Sequence, residues 1–492
     1  MPFPDMSPVA FSLFGFAVRW YALAYVAGFM ASFYFVKSRL RSSVGMRVSY
    51  VMLDDLLGWL VLGIVAGGRL GYVLFYNFAH YARNPVEVFM VWTGGMSFHG
   101  GLLGAAATLW LWCRVKGQPF WRLSDLCLLP APIGLFLGRV ANFVNGELYG
   151  RPTDSPLGMV FPNSDGLPRH PSQLYEAALE GVAMFALLNL ITRLRSVRGK
   201  PGVVSAAFLG LYGAARVAVE FFREPDVQIG YLPLGVTMGQ ALTVPAILFS
   251  AFLLWRFLRR RPETETFAAS PLLGGVPFVR HGFFTRQGGV SVGPFASANC
   301  RFETSDPMAN VRENRRRLLA SLGIDAKKSL VTLHQQHTSN VVVITSSSRA
   351  PEEYLAIEAD AVVTDRPGLA VGILTADCVP VLMVDPSAKI VAAVHCGWKG
   401  IRRGIIEETL KALASLGSKT EDLRVALGPC LKQASYEVDA DFKKGIGRPG
   451  LFRRRGGKYL FDCAGYALER LRRAGVGNID VMDFDTYGNE DL

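Results

Sequence analysis

The stretch that decides the fold is GRVANFVNGELYGR, Gly138–Arg151, at the end of a long apolar run. It combines arginines with Asn142, Asn145 and Glu147. Polar groups at membrane depth are costly, and those that occur usually face the interior of a helix bundle and mark a site. We therefore predict that this stretch forms a polar site in a helical membrane protein.

The apolar residues are concentrated in one half of the chain. Of the 492 residues, 50% are hydrophobic and 19% are charged, and the mean hydropathy of +0.26 is high for a soluble protein. Long apolar runs alternate with short basic loops before Arg261, whereas charged residues and short alternating segments follow it. The sequence predicts a polytopic α-helical membrane domain at 1–260, a linker at 261–275 and a soluble cytoplasmic α/β domain at 276–492.

About seven apolar stretches are long enough to be transmembrane helices, which need about 20 residues each. They are 14–36, 56–76, 94–113, 124–145, 173–191, 203–222 and 236–257. Basic clusters follow the first, third, fifth and seventh stretch, and the positive-inside rule makes those connections cytoplasmic. The N-terminus is then periplasmic and the second half cytoplasmic.

The same basic clusters account for much of the net charge of +12. They lack the interleaved aromatic residues of single-strand nucleic-acid sites, so we expect no nucleic-acid partner. The seven cysteines form no paired framework, which argues against structural disulfides. The N-terminus has no basic region followed by a cleavage site, so we expect no removable signal peptide.

Polar residues of five predicted spans fall at the same depth, toward the outer leaflet. They are Tyr21, Arg69, His99, Arg139, Asn142, Arg216, Glu220 and Arg223. Several arginines in one pocket suit a lipid phosphate, because a guanidinium binds phosphate bidentately and stays charged. His99 is the natural candidate for proton transfer. In the simpler alternative, single arginines snorkel or form structural ion pairs, and Arg216 pairs with Glu220 on its own helix face.

Four ordered blocks carry a resemblance to a known family. They are MSFHGGLLG at 96–104, GRVANFVNGELYGR at 138–151, PRHPSQLYEAALEG at 168–181 and YGAARVAVEFFREPD at 212–226. These blocks resemble the signatures of phosphatidylglycerol–prolipoprotein diacylglyceryl transferase, over about residues 1–260. The resemblance implies a multi-pass enzyme of the bacterial inner membrane. It would move the diacylglyceryl group of phosphatidylglycerol to the lipobox cysteine of a prolipoprotein, release glycerol 1-phosphate, and need no cofactor.

The resemblance also implies residue roles. Arg139 would hold the phosphate with Arg216 as a second contact, and His99 would help to activate the acceptor thiol. Other positions that match functional family residues are Tyr21, Asn142, Glu147, Gly150, Tyr212 and Glu220. The alternative from another class is a membrane transporter with an appended metal-binding regulatory or degenerate domain. Transporters usually show inverted repeats and broken helices at the midplane, and no such repeat is evident here.

The second half shows strand-like segments at 341–344, 361–364, 370–374, 379–385 and 390–395, and helical patterns at 307–322 and 402–416. This alternation predicts an α/β domain. His337, Cys378 and His395 are candidate metal ligands, since two histidines and one cysteine leave a fourth zinc position for water. His334 and Cys396 are rival ligands, although Cys396 should point to the face opposite His395.

Six further blocks resemble the laccase-domain family, once called polyphenol oxidase, over about residues 272–492. They are HGFFTRQGGVSVGPFASAN at 281–299, HQQH at 334–337, EADAVVT at 358–364, TADCVPVLMVDP at 375–386, VAAVHCGWKG at 391–400 and ALGPC at 426–430. The resemblance implies a zinc-dependent purine nucleoside phosphorylase with adenosine deaminase activity, acting on purine nucleosides and phosphate. His337, Cys378 and His395 fall on its Zn²⁺ ligands, and Arg286 is a candidate anion contact.

This half departs from the laccase-domain pattern at two places. HCGWKG places Lys399 where the family usually has arginine, and the sequence ends at TYGNEDL without the usual aromatic-arginine segment. A copper oxidase, a regulatory metal-binding module and a degenerate domain therefore remain alternatives for this half.

Overall fold

A computed structural model describes residues 1–4, 6–13, 16–43, 46–162, 164–194, 196–224, 237–260, 262–263, 266–325, 330–345 and 349–488. Parts of the predictions lie outside these residues: 14–15 of the first span, 225–226 of the last membrane block, 236 of the seventh span, 261 and 264–265 of the linker, and 489–492 of the C-terminal segment. The chain divides into two compact units. The first comprises Met1–Arg39 and Leu56–Glu263, and the second comprises Leu40–Asp55 and Thr264–Leu492.

The described part of the first unit consists mainly of helices and begins with a hairpin of β1 (Val9–Leu13) and β2 (Phe16–Arg19). Its helices are α1 (Trp20–Leu40), α2 (Tyr50–Phe75), α3 (Phe78–Arg83), α4 (Phe98–Lys116), α5 (Phe120–Leu128), α6 (Ala131–Val144), α7 (Ser172–Glu176), α8 (Met184–Ile191), α9 (Val203–Glu220) and α10 (Met238–Leu258). A π-helical turn, Ala177–Ala183, joins α7 to α8.

Each predicted span coincides with one of these helices or with a consecutive pair. Among the described residues, four helical stretches are long and apolar enough to cross a membrane: Tyr50–Phe75, Phe120–Val144, Ser172–Ile191 and Val203–Glu220. A shorter apolar helix covers Thr243–Leu258. Apolar membrane-spanning helices are therefore supported, while the number of seven stays a prediction.

A glycine stripe brings α2 and α4 into backbone contact. A Cβ added at Gly67 would lie 2.7 Å from the Cα of Gly104, and one added at Gly71 would lie 2.8 Å from the Cα of Gly100. Small residues at such positions let membrane helices approach closely. This packing places the start of α4, which carries His99, beside α2.

Replacing Gly67 with alanine should force α2 and α4 apart. Overpacking of this kind costs about 1–3 kcal/mol, so we expect the melting temperature in detergent to fall by about 5 °C. Gly58→Ala on the same helix is the matched control, because no atom lies within 4 Å of its added Cβ. Equal melting temperatures for the two variants would contradict the close approach.

The second unit is built around a six-stranded mixed sheet in the order β15–β11–β9–β10–β7–β6. These strands are β6 (Val341–Ile344), β7 (Ala361–Thr364), β9 (Val379–Asp385), β10 (Ile390–Cys396), β11 (Arg424–Leu427) and β15 (Asn478–Val481). Neighbouring strands are antiparallel except β11–β15 and β6–β7. Strand residues such as Val381, Met383 and Val394 are fully buried against helical residues such as Ile405 and Leu413.

Smaller sheets and surrounding helices complete this unit. The short strands are β3 (Phe267–Ala268), β4 (Phe283–Phe284), β5 (Leu330–Val331), β8 (Ala370–Val371), β12 (Glu437–Val438), β13 (Phe452–Arg455) and β14 (Lys458–Phe461). The helices are α11 (Met308–Ser321), α12 (Trp398–Arg403), α13 (Ile405–Ser415), α14 (Ala440–Ile446) and α15 (Cys463–Arg473). A mixed sheet with helices confirms the predicted combination of strands and helices in this half.

Candidate functional sites

Arg139, on α6, is held by two buried carboxylates. Its Nε and Nη2 each lie 3.0 Å from Oε2 of Glu180. Its Nη1 lies 3.1 Å from Oε2 of Glu176. Both glutamate side chains are at most 1% exposed. Bidentate, charge-assisted contacts of this kind fix the plane of a guanidinium.

Glu176 links Arg139 to two further arginines. Arg216 donates from Nη1 to Oε1 of Glu176 at 2.6 Å and from Nη2 to Oε2 of Glu220 at 2.9 Å. Arg223 Nη1 lies 3.6 Å from Oε1 of Glu176. The pair within α9 that the simpler alternative allowed is therefore present. It is one part of a larger network, the arginine–glutamate cluster: Arg139, Arg216, Arg223, Glu176, Glu180 and Glu220.

Glu147 accepts hydrogen bonds from amide side chains of α6, of its C-cap residue and of α7. Asn142 Nδ2 and Asn145 Nδ2 donate to its Oε1 at 2.9 and 3.1 Å, and Gln173 Nε2 donates to its backbone oxygen at 2.6 Å. The Glu147 side chain is exposed, while Asn142 is buried. The two asparagines thus hold the carboxylate in place.

Gly150 is required by backbone packing. Its N–H donates to the carbonyl oxygen of His170 at 2.8 Å. A Cβ at this position would lie 2.8 Å from Cβ of His170 and 2.9 Å from its carbonyl oxygen. A side chain at residue 150 would therefore separate the segments that present Glu147 and Arg223.

Tyr21, His99 and Tyr212 surround the cluster. The Tyr21 hydroxyl lies 3.1 Å from that of Tyr25, and Tyr21 interacts electrostatically with Arg139 and Glu147. His99 is exposed in the first turn of α4 and lies within electrostatic range of Arg216. Tyr212 interacts electrostatically with Arg139 and Arg216 and with Glu176 and Glu180. The structure therefore brings the predicted membrane-site residues together.

Arg69 is the exception among the predicted polar residues. It donates to the carbonyl oxygens of Val88 at 2.9 Å and Glu87 at 2.5 Å, and also to that of Gly94. These contacts fix the chain segment before α4. Arg69 therefore binds backbone carbonyl groups and is neither a snorkelling residue nor half of the ion pair that the simpler alternative described.

Asp125, on α5, positions the helix that carries Arg216. Its carboxylate accepts hydrogen bonds from the backbone N–H groups of Gly202 and Ser205, both at 2.7 Å. These donors lie at the start of α9, where helix N–H groups lack partners within the helix. The cap comes from a different helix, so it ties the position of α9 to that of α5.

Sequence reasoning missed Glu176 and Glu180 as site residues. Two carboxylates four residues apart in an apolar span were the available signal. Glu180 Oε1 is buried and has no hydrogen-bond partner among the described residues. Because buried polar atoms are normally satisfied, this acceptor marks Glu180 as a candidate contact for a ligand donor.

In the second unit, His337, Cys378 and His395 converge as predicted. Their ligand atoms all lie within 4.8 Å of one another, and Cys378 Sγ is 3.5 Å from Nε2 of His337. Cys378 immediately precedes β9, and His395 lies near the end of β10. These antiparallel neighbours pair His395 with Pro380, which brings the two ligands to one end of the sheet.

Asp360, which sequence reasoning missed, organises this group. Its Oδ1 accepts from Nδ1 of His395 at 2.7 Å and from the N–H of His337 at 3.0 Å, and its Oδ2 accepts from the N–H of Thr338 at 2.6 Å. Burial disfavours the charged carboxylate, but these donors lower the pKa of Asp360 to about 2. Burial likewise disfavours imidazolium at His395, but hydrogen bonds to Asp360 and Cys378 raise its pKa to about 9.

The backbone at His337 and at Gly397 also shapes the site formed by the three candidate ligands. His337 has a left-handed backbone with φ 58°, a conformation uncommon outside glycine and frequent at functional sites. Gly397 lies against the ligands, since a Cβ there would come within 2.7 Å of Nε2 of His337 and 3.1 Å of Sγ of Cys378. The space between the ligands and α12 therefore depends on a glycine.

The rival candidates lie outside the group. His334 pairs with Glu303 through Nδ1 at 2.7 Å and with Gln336 through Nε2 at 2.8 Å. Cys396 is fully buried on the opposite side of the strand from His395, as expected from strand alternation. Arg286 donates to the carbonyl oxygen of Ala296, so it stabilises its own loop.

The side chains of His337, Cys378 and His395 together fit a metal ion. Two imidazoles and a thiolate are borderline-soft donors that suit zinc, and three protein ligands leave one position open. The contact from His395 Nδ1 to Asp360 leaves Nε2 to face the other ligands, which is the usual arrangement behind a metal-bound histidine.

The fold and the buried charges thus define the first unit as a helical membrane protein with a polar site among its helices. Residues 8–256 match the family described as prolipoprotein diacylglyceryl transferase. Similar proteins with the name phosphatidylglycerol–prolipoprotein diacylglyceryl transferase include one from Rhodospirillum rubrum, 53% identical over 50% of this chain and 91% of that protein. One from Azospirillum brasilense is 50% identical over 53% of this chain and 97% of that protein. The chain belongs to the prolipoprotein diacylglyceryl transferase family.

The second unit carries a separate match. Residues 280–492 match the family described as multi-copper polyphenol oxidoreductase laccase. Similar solved structures include the hypothetical protein YfiH of Bacillus licheniformis, 30% identical over 42% of this chain and 82% of that chain with a TM-score of 0.39. YlmD from Geobacillus stearothermophilus is 27% identical over 47% of this chain and 90% of that chain with a TM-score of 0.41. Both predicted family resemblances are confirmed, and the comparisons give no support to a transporter.

Proposed function

We propose that the membrane unit transfers the diacylglyceryl group of phosphatidylglycerol to the lipobox cysteine of prolipoproteins. Its family membership supports the reaction, and the arginine–glutamate cluster supports the site. The observation that carries the proposal is the clamped Arg139 beside the unpartnered Oε1 of Glu180. A guanidinium suits the phosphate, and a buried acceptor suits a hydroxyl of the glycerol head group.

The proposed chemistry is a substitution at carbon. The acceptor thiolate attacks the glycerol carbon that bears the phosphate ester, a C–S bond forms, and the C–O bond to phosphate breaks. Glycerol 1-phosphate leaves with the bonding electron pair, while the thiol proton passes to a base for which His99 is the candidate. Arg139 and Arg216 stabilise the leaving phosphate because the buried glutamates hold both guanidinium groups in place before the reaction begins.

Transfer is tested with the full chain in membranes that contain phosphatidylglycerol and a lipobox peptide. We expect a thioether-linked product that contains the diacylglyceryl group, detected by mass spectrometry. Absence of this product would refute the transferase proposal. Full activity of His99→Gln would refute only the role of His99 as base.

We also propose that the membrane unit lies in the bacterial inner membrane with its N-terminus periplasmic. The basic clusters that follow alternate predicted spans support this orientation. The site would then face the leaflet at which prolipoproteins emerge. Labelling of cysteines placed at residue 7 and at residue 198 with an impermeant reagent in intact cells should modify only the former.

For the second unit, we propose a zinc-dependent purine nucleoside phosphorylase with adenosine deaminase activity. The family resemblance and the convergence of His337, Cys378 and His395 support it. A bound zinc ion supplies Lewis acidity and lowers the pKa of water. In this chain Asp360 orients His395, and the backbone of His337 holds the second imidazole opposite it.

Asp360→Asn should weaken zinc binding by roughly 10–100-fold, the usual effect of losing a carboxylate behind a histidine ligand. The measurement is a competition titration of the full chain against a chromogenic chelator. Asp385→Asn is the matched control, because Asp385 is equally buried at the far end of β9 and binds Ser418 instead. Equal zinc affinity in both variants would contradict the role of Asp360.

Turnover separates the proposed activities from the alternatives. The full chain should contain about one zinc per molecule, phosphorolyse inosine only with phosphate, and release ammonia from adenosine. A copper oxidase is disfavoured because the described residues contain a single group of three histidine, cysteine or acidic ligands. Zinc without turnover would leave a regulatory or degenerate module, and diphenol oxidation with bound copper would support the oxidase.

A further inference from the structure

The second unit contains a segment that the sequence places between the first two predicted spans. Leu40–Asp55, which we call the docking segment, clusters with Thr264–Leu492. Sequence reasoning treated its basic residues only as a topology signal. Within the described part of this segment, Leu40, Met46, Val48, Ser49 and Leu53 are buried. Burial of these side chains indicates a packed element of the unit.

The strongest contacts of the docking segment are made with Asp480, on β15 of the central sheet. Asp480 is 1% exposed, and its Oδ1 lies 3.1 Å from Nε of Arg41 and 3.3 Å from the hydroxyl of Tyr50. Arg41 Nε also donates to the Tyr50 hydroxyl at 2.9 Å. The other carboxylate oxygen of Asp480 accepts from Ser270 Oγ at 2.7 Å.

Backbone hydrogen bonds and apolar contacts extend this interface. The N–H of Asp483 donates to the carbonyl oxygen of Arg41 at 3.3 Å, and the N–H of Tyr50 donates to that of Pro271 at 3.4 Å. At the other end of the segment, the Arg47 guanidinium lies 5.1 Å from the ring centre of Phe267. It also donates to the carbonyl oxygen of Ser321.

A buried carboxylate is costly unless a charged group and hydrogen-bond donors compensate it. The docking segment provides the cation Arg41 and the donor Tyr50 for Asp480, whereas Ser270 is a neutral donor. Loss of the segment would leave this sheet edge with an uncompensated buried charge.

We propose that the docking segment is a structural part of the soluble unit, and that Asp480 is its main anchor. The second unit is then complete only with residues that the sequence places between the first two predicted spans. This inference is independent of either proposed activity.

A designed disulfide gives the sharpest test. A Cβ added at Gly274 would lie 3.6 Å from Cβ of Ser49, which is within the range for a disulfide. We expect Ser49→Cys/Gly274→Cys in the full chain to crosslink in native membranes. After a protease site inserted at 264–265 is cut under denaturing, non-reducing conditions, the two fragments should stay together and separate on reduction.

Ser49→Cys/Gly450→Cys is the matched control, because no atom lies within 4 Å of an added Cβ at Gly450. Fragments that separate equally in both double variants would overturn the proposal. Crosslinking only with Gly274→Cys supports it, whatever the enzymatic activity of either half.

A mutant cycle tests the anchor in the full chain. Arg41→Gln and Asp480→Asn should each lower the temperature at which the soluble unit unfolds, and the double variant should be no worse than Asp480→Asn alone. Arg198→Gln removes one basic charge from another predicted cytoplasmic loop and should leave this temperature unchanged. Strictly additive effects of the Arg41 and Asp480 changes would refute the role of Asp480 as the anchor. If Asp480→Asn does not fold, the crosslinking experiment still tests the proposal.

Discussion

Replacing Arg139 with lysine is expected to lower diacylglyceryl transfer by roughly 100-fold or more. Arg139 uses three nitrogens to contact Glu180 and Glu176 at 3.0–3.1 Å. Lysine keeps the positive charge but has a single ammonium, which cannot serve two carboxylates and a phosphate in fixed directions. Each charge-assisted hydrogen bond that lysine cannot make is worth about 1.5–3 kcal/mol. The measurement is the initial rate of thioether formation on a lipobox peptide in membranes.

Arg122→Lys is the matched control for this prediction. Arg122 is similarly buried and contacts Glu263 through Nε at 3.1 Å and Nη2 at 2.8 Å, outside the arginine–glutamate cluster. We expect this variant to keep most of the transfer activity. Comparable losses in the two variants would mean that Arg139 acts through stability alone, and full activity of Arg139→Lys would exclude a directional contact with phosphate.

The positions of the membrane helices could be predicted because a segment that crosses lipid must be helical, long and apolar. Their ends could not, since they depend on local backbone geometry. The third helix was expected at residue 94, but Gly94 and Gly95 have φ of 88° and 78°, and α4 starts only after the Ser97 cap. The fourth is interrupted at Pro130, between α5 and α6.

The arginines of the membrane site were predictable because a charged side chain is costly in an apolar span and usually marks a site. Their partners were harder to find. Glu180 lies in a π-helical turn, where the i→i+5 hydrogen bonds change the direction of each side chain relative to an α-helix. The four-residue spacing places Glu176 and Glu180 near one helix face, but contact of that face with Arg139 depends on packing between helices that are distant in sequence.

The metal ligands were partly predictable for a different reason. Strands β9 and β10 were visible as apolar runs, and residues at strand ends meet when strands are neighbours. Asp360 was not visible, because its role depends on contacts with His395 and His337 that are distant in sequence. The docking segment was missed because the positive-inside rule already explained its basic residues.

Gly397→Ala is expected to lower the zinc affinity of the second unit by about 100-fold, comparable to the largest effects of disturbing groups behind a ligand. Gly397 has φ −70° and ψ 152°, which alanine adopts without strain, so the effect would be steric. Its new Cβ would come within 2.7 Å of Nε2 of His337 and 3.1 Å of Sγ of Cys378, so both ligands must move. Zinc affinity is measured by chelator competition, which is independent of turnover.

Gly450→Ala in the same unit is the control, because its added Cβ meets no atom within 4 Å. Both variants should fold, since neither introduces a positive-φ conflict at its position. If zinc affinity falls only in Gly397→Ala, His337 and Cys378 hold the ion together in the geometry described. If zinc binds equally well in both variants, the ion lies elsewhere, and the convergence of His337, Cys378 and His395 has another cause. The zinc affinities of these two variants therefore distinguish a metal centre from a structural cluster, whatever reaction the second unit catalyses.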